Sequence, residues 1–303
     1  MPSQLRDRRD DEQAFVLHTY PYKETSLIVE AFSERFGRVA MVAKGAKRPR
    51  SEMRGVLQAF QPLALSWAGA ADVKTLVKAE WRGGMPLPRG GALLCGFYLN
   101  ELLLKLLPRE DAHPTLWRAY ESALTALIDG PAASAQAATL RRFELRLLAE
   151  LGYALPLTHD AASGEPVAEA QRYHYAFDRG PLRAVEEPRA TWPIVRGATL
   201  LALANERFDD AEVATEAKRL MRGILDHYLE SRRIFSRRVV QDLAALEEEG
   251  SPSPQPSPRE RGEGDPDVAP RKRREEDSEE ASREREEGDA DEAASAGMRK
   301  DER

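Results

Sequence analysis

Near Gly90 the apolar pattern of this chain changes its period, and that change calls for two unlike units in series. Before it, short apolar runs alternate with turn residues. Residues 14–20 and 25–33 are separated by Pro21-Tyr22-Lys23-Glu24, and residues 37–44 follow Glu34-Arg35-Phe36. Residues 55–67 carry another run, interrupted at Pro62, and residues 73–81 close the set. Valine, leucine and aromatics dominate these runs, and glycine or proline bounds them, so they read as strands. Five or so strands in so short a stretch predict a small β domain. A barrel would protect its edges, although the pattern alone also accommodates a two-sheet sandwich.

After Gly90 the spacing becomes helical. Leu93, Phe97, Leu103, Leu104 and Leu107 predict a helix ending before Pro108. Leu116, Tyr120, Leu124 and Leu127 predict a second over residues 114–128. Leu140, Phe143, Leu147 and Leu151 share the inner face of a third over 135–151, with Gly152 as its C-terminal cap. Residues 153–194 contain Pro156, Gly164, Pro166, Gly180, Pro181, Pro188 and Pro193, which predict loops or short strands. Helical spacing resumes over 194–203 and 211–229, where Leu220, Ile224 and Tyr228 recur every four residues and Asp209 or Asp210 is placed to cap. The expected organisation is a flexible lead (1–12), a β domain (13–84), an all-helical domain (85–246, with an irregular insertion at 153–194) and a tail (247–303). The fold class is α+β.

Charge is divided along the same line. The tail holds 20 acidic and 11 basic residues, whereas residues 1–246 hold 34 basic against 31 acidic. The overall net charge of -6 therefore conceals a mildly basic folded part. Proline alternation through Ser251-Pro252-Ser253-Pro254 and the charged remainder predict disorder in the tail. Its patch Arg271-Lys272-Arg273-Arg274 reads either as a nucleic-acid contact or as incidental to a charged extension. The single cysteine, Cys95, excludes an intramolecular disulfide and a multi-cysteine zinc site; its apolar neighbours predict a buried thiol. Residues 1–12 are charged, without a signal-peptide core, and no apolar run approaches the ~20 residues of a membrane span. The expected location is cytoplasmic, with no membrane partner.

No phosphate loop, dinucleotide glycine fingerprint or helical His-Glu-x-x-His pair occurs. Asp111 and His113 fall between two predicted helices, where a turn or capping role fits them, and His159-Asp160 lies in the irregular stretch. No metal is expected at either. The strongest chemical signal is basic. Arg35, Arg38, Lys44, Lys47, Arg48, Arg50 and Arg54 stand against only Glu34 and Glu52 in residues 34–54. Lys44-Gly45-Ala46-Lys47-Arg48-Pro49-Arg50-Ser51 reads as a loop between strands, its charges free to converge on one polyanion. Such contacts give affinity that ignores base sequence and falls with salt. Lys74, Lys78 and Arg82 share strand parity and extend the strip. Phe36, Phe60, Trp67 and Trp81 are candidates either for stacking on bases or for the core.

Val42-Ala43-Lys44-Gly45-Ala46-Lys47-Arg48-Pro49-Arg50-Ser51, followed by Gly55-Val56-Leu57-Gln58-Ala59-Phe60-Gln61-Pro62-Leu63, resembles the N-terminal signature of the RecO family. Residues 97–111, the helix Leu140-Arg141-Arg142-Phe143-Glu144-Leu145-Arg146-Leu147 with its Leu151-Gly152-Tyr153 end, and residues 229–237 are similar to that family too. Together these motifs span roughly residues 13–240, in order. The resemblance implies an OB-fold followed by a helical domain and a non-catalytic recombination mediator without cofactors. It implies binding of single- and double-stranded DNA, strand annealing and help in loading RecA in the RecF pathway, at the nucleoid. The implied partners are RecR and the acidic C-terminal tail of the single-stranded DNA-binding protein, with RecA and RecF indirect.

Within that frame Lys44, Lys47, Arg48 and Arg50 are the first candidates for DNA contact, supported by Arg35, Arg38 and Arg54. Arg141, Arg142 and Arg146 are candidates for the acidic partner tail, because positions i, i+1 and i+5 lie near one helix face beside Leu145; they read equally as solvated flanks of a core helix. Some family members carry a four-cysteine zinc site after the Leu-Gly-Tyr motif. Residues 158–164 have no cysteine, so packing and hydrogen bonds are expected to hold this loop. Two other readings stay open: a helical scaffold for proteins with incidental DNA contact, and a nucleic-acid enzyme, which would need converging metal-binding carboxylates.

Overall fold

In the computed structural model, residues 7–130, 132–184, 192–229 and 234–239 are described. Five strands form a closed barrel: β1 (Arg8–Tyr22), β2 (Ser26–Ser33), β3 (Gly37–Ala43), β4 (Pro62–Ala68) and β5 (Val73–Trp81), with a one-turn helix α1 (Met53–Val56) between β3 and β4. The strand order is β1-β2-β3-β5-β4, β1 closes on β4, and only β3 and β5 run parallel. Residues 55–67 thus hold a helical turn and one strand, not a single interrupted run.

β1 begins at Arg8, inside the span expected to be a flexible lead. Its first residues are polar, and what orders them is the ladder to β4, Arg8 opposite Ala68 and Arg9 opposite Trp67. Further along, Ala14-Phe15-Val16-Leu17 is buried on both faces. Ala14 and Val16 enter the barrel with Val29, Ala31, Met41, Leu65 and Leu76; Phe15 and Leu17 face a second core made with the helices. A continuous apolar run is what a strand between two cores requires.

The helices are α2 (Gly91–Leu106), α3 (Pro114–Asp129), α4 (Ala133–Glu150), α5 (Gly197–Ala204) and α6 (Ala211–Tyr228). Pro114 opens α3, where its missing N–H is harmless. Gly152 (φ 85°) ends α4 with Tyr153 N–H donating to the Leu148 carbonyl (2.8 Å) and Gly152 N–H to that of Ala149 (3.1 Å). Asp210 caps α6, accepting from Val213 N–H at 2.8 Å. The irregular insertion supplies short strands β6 (Arg172–Ala176), β7 (Gly180–Arg183) and β8 (Ile194–Arg196), in the order β7-β6-β8. This sheet qualifies the all-helical expectation for the second domain. It also corrects the helix start at 194, since residues 194–196 pair with β6 and α5 begins only at Gly197.

Barrel and helices share one compact unit. A bulge leaves Leu17 out of register, and Asn100 Nδ2 donates to its carbonyl at 2.9 Å while Tyr120 donates to Asn100 Oδ1. Trp117 Nε1 donates to the Phe32 carbonyl (3.2 Å), and Arg38 Nε to that of Leu107 (2.9 Å). Glu101 of α2 accepts from the backbone N–H groups of Phe235 (2.7 Å) and Ser236 (2.8 Å), fastening the last described segment. The segment read as a disordered tail, 247–303, lies outside the described residues.

Candidate nucleic-acid interface

The barrel topology sorts the predicted cations by end. β1, β3 and β5 all finish at one rim, which is bordered by the β1–β2 turn, the β3–β4 connection and the exit from β5. Lys44, Lys47, Arg48, Arg50, Arg54 and Arg82 belong to this rim. The opposite rim, where β2 turns into β3 and β5 begins, holds Arg35, Arg38 and Lys74.

The connection after β3 is tied down by backbone hydrogen bonds and one buried methyl group. Gly45 takes φ 71°, a left-handed turn that glycine adopts freely. Ala46 is fully buried in the barrel core. Lys47 N–H donates to the Thr25 carbonyl (2.9 Å), tying the loop to the neighbouring hairpin, and Arg48 N–H donates to that of Gly45 (3.0 Å). Ser51 N–H continues to Arg48 (3.0 Å) and Arg54 N–H to Ser51 (3.2 Å). Main chain and one methyl group are thus fixed, while Lys44, Lys47, Arg48, Arg50 and Arg54 project into solvent. None of these five, nor Arg82, forms an ion pair among the described residues.

The other predicted cations have acidic partners. Arg35 is paired with buried Glu12, although its guanidinium stays exposed above Phe36. Arg38, mostly buried, bridges Glu30 (3.2 Å) and the Leu107 carbonyl, so it joins the barrel to the helices and is not free to meet a phosphate. Lys74 is buried against Glu110 at 2.7 Å. Lys78, exposed, pairs with Glu80 at 2.8 Å. A register shift takes Lys74 out of phase with Lys78 and Arg82: Trp67 faces Leu76 but Ser66 faces Lys78, which leaves Val77 as an extra residue. Lys74 and Lys78 therefore lie on different faces of β5.

The rings divide too. Phe60 and Trp67 are buried, and Phe36 stands edge-on to Trp67 at 5.5 Å on the opposite rim. Trp81 is exposed at the cationic rim. Sequence reasoning missed Tyr20, Tyr22 and Lys23. Both tyrosines are exposed, His18 lies edge-on to Tyr20 at 4.4 Å, and the Lys23 ammonium sits 5.4 Å from the Tyr22 ring centre. The signal that could have found them is the two-residue recurrence of His18, Tyr20 and Tyr22, which marks one strand face.

On α4 the three partner-tail candidates separate. Arg141 is 7% exposed and paired with fully buried Glu144, whose carboxylate also accepts from Tyr98 at 2.6 Å. It is a core ion pair, out of reach of a docked peptide. Arg142 and Arg146 are exposed, Arg142 against the Glu206 carbonyl at 3.3 Å.

Among the described residues no group of three or more histidine, cysteine, aspartate or glutamate side chains could hold a metal ion. His113 lies between Asp111 (3.3 Å) and Glu150 (3.6 Å), and Cys95 is half-buried rather than fully enclosed. In the loop at 158–164 Asp160 is the organiser. Its carboxylate accepts from the N–H groups of Ala162 (2.9 Å), Ser163 (2.8 Å) and Arg183 (2.6 Å). Burial opposes ionisation, but the bonds from Ser163, Arg183 and Ala162 outweigh it and hold this carboxyl below its usual range.

Comparison with known proteins agrees with this architecture. A family model described as "Recombination protein O N terminal" matches residues 9–85, and one described as "Recombination protein O C terminal" matches residues 88–237. The DNA repair protein RecO of Aromatoleum aromaticum is 51% identical over 241 residues, covering 80% of this chain and 99% of the relative. Those of Azoarcus sp. (strain BH72) and Dechloromonas aromatica are 50% and 48% identical, again over 80% of this chain and 99% of each relative. With a five-stranded barrel and a helical domain in the order these models describe, the chain belongs to the RecO family of DNA repair proteins.

Proposed function

We propose that this protein is a recombination mediator that binds single- and double-stranded DNA at the barrel rim formed by Lys44, Lys47, Arg48, Arg50 and Arg54. The observation that carries the reading is that these five cations stand exposed on a pinned loop and have no acidic partner among the described residues. A phosphate meets such charges without first displacing an ion pair, and each contact releases counterions. An annealing protein has to screen two backbones while leaving base edges free to pair. A salt-sensitive cationic rim does this, whereas a deep base-specific pocket would obstruct pairing.

Through the family, the same reading extends to annealing of complementary strands and to helping RecA onto strands covered by single-stranded DNA-binding protein. RecR is the expected partner, and Arg142 and Arg146 are the remaining candidates for the acidic partner tail. The test is salt-titrated binding. Changing Lys44, Lys47, Arg48 and Arg50 to alanine should weaken single strands and duplexes alike. It should also lower the slope of log K against log salt by roughly 0.9 for each duplex phosphate that is no longer neutralised. An unchanged slope would remove this rim from the account.

A further inference from the structure

Trp81 ends β5 with 61% of its surface exposed, yet its indole is not loose. Its Nε1 donates to Gln61 Oε1 at 3.0 Å, and Gln61, itself buried, donates from Nε2 to the Met85 carbonyl at 2.8 Å. Gly84 lies against the ring, where an added Cβ would make ordinary van der Waals contact with Cζ2 at 3.5 Å. The ring plane is therefore set from one edge while much of the indole stays open to solvent. Beside it is a cavity of about 390 Å³, lined by Val56, Gln58, Gln61, Met85 and Leu87 as well as Trp81. That size is at the lower end of small-ligand clefts, about 300–1,000 Å³.

Among the described residues no acidic side chain lines the cavity. Arg54 and Arg82, exposed and outside any ion pair among the described residues, each adjoin a lining residue in the chain, Gly55 and Trp81. The occupant that suits an oriented π-face, apolar walls and a primary amide, with an exposed arginine one residue along the chain from each of two lining residues, is a nucleobase held on a phosphate backbone. A purely apolar peptide would leave both arginines unused, and bases stacked inside a duplex could not enter.

Building on the DNA-binding reading above, we propose that this cavity is a stacking subsite for one unpaired base of a single strand. The rim loop then holds phosphate in either form of DNA, and Trp81 adds affinity for single strands alone.

The experiment measures binding by the full chain to a short oligo(dT), to an abasic strand of equal length and to a duplex. Trp81→Ala is expected to weaken oligo(dT) roughly five- to hundredfold while leaving the abasic strand and the duplex unchanged. Trp81→Phe, which keeps a π-face, should recover most of the loss. Should Trp81→Ala not fold, Trp81→Leu keeps apolar bulk without an aromatic face and carries the comparison. Equal losses on oligo(dT) and the abasic strand, or no loss on either, would overturn the subsite while leaving the rim intact. If Trp81→Ala spares oligo(dT) but abolishes binding of an acidic, apolar-ended peptide, the cavity belongs to a peptide and the proposal fails. A wild-type chain that binds none of the three DNAs would defeat the DNA reading as well.

Discussion

Buried charge in this molecule is structural, and Arg141 is the residue where that matters most. It neutralises Glu144, which is fully buried and also accepts from Tyr98. Removing one partner of a buried pair strands the other, at a cost of about 3–5 kcal/mol. Arg141→Ala should therefore lose about that much stability in chemical denaturation, whereas Arg142→Ala and Arg146→Ala should stay within about 0.5 kcal/mol. Equal effects at all three would mean that α4 presents a different face. Gly37 is constrained in another way. It adopts φ 65°, and a Cβ there would lie 1.7 Å from the Asp111 carbonyl oxygen. Gly37→Ala must move backbone at the junction between barrel and helices, so a loss of more than about 2 kcal/mol is expected from thermal or urea unfolding.

Among the elements, the loop at 158–164 gives a prediction with a sign. Asp160 titrates lower in the folded protein than an ordinary aspartate, whose unfolded value is about 4. Its contribution is therefore complete above that value and is lost as pH falls through the depressed folded value. Asp160→Asn should remove part of the acid-induced destabilisation, and an unaltered acid limb in unfolding experiments would contradict the assignment.

Legibility from sequence follows the same physics. The span 73–81 is readable as β5 because apolar and turn residues bound it, and α3 because Leu116, Tyr120, Leu124 and Leu127 repeat on one face. The start of β1 is hidden because Arg8 and Arg9 are ordered by backbone pairing, which leaves no apolar signature. The face of Lys74 is misread because one extra residue at Val77 reverses parity, and a bulge is a property of the partner strand as much as of its own sequence. At the site, the loop from Lys44 to Arg54 is readable from charge density. That Arg38 is consumed by an ion pair is not, because Glu30 meets it only across the strand pairing; Arg141 and Glu144 stand three apart on one helix, and what the sequence hides there is the burial of the pair.

Over the whole molecule, charge is polarised twice: between the two rims of the barrel, and between residues 1–246 and the acidic 247–303. The first division predicts that Arg35→Ala, at the rim whose cations are paired, leaves DNA affinity and its salt slope unchanged. The second predicts competition, because an acidic segment on the same chain opposes binding of a polyanion. Deleting residues 247–303 should tighten DNA binding at low salt and matter little at high salt, and no change at low salt would dismiss that competition.

The proposed mediator role requires the rim-loop cations, unpaired among the described residues, to bring two strands together. Its most direct test is the rate of annealing of complementary strands against salt, for the full chain and for a folded variant with Lys44, Lys47, Arg48 and Arg50 changed to alanine. The wild-type rate should fall steeply as salt rises, and the variant rate should lie close to the protein-free one. A variant that anneals as fast as wild type would show that the surface responsible lies elsewhere on the molecule.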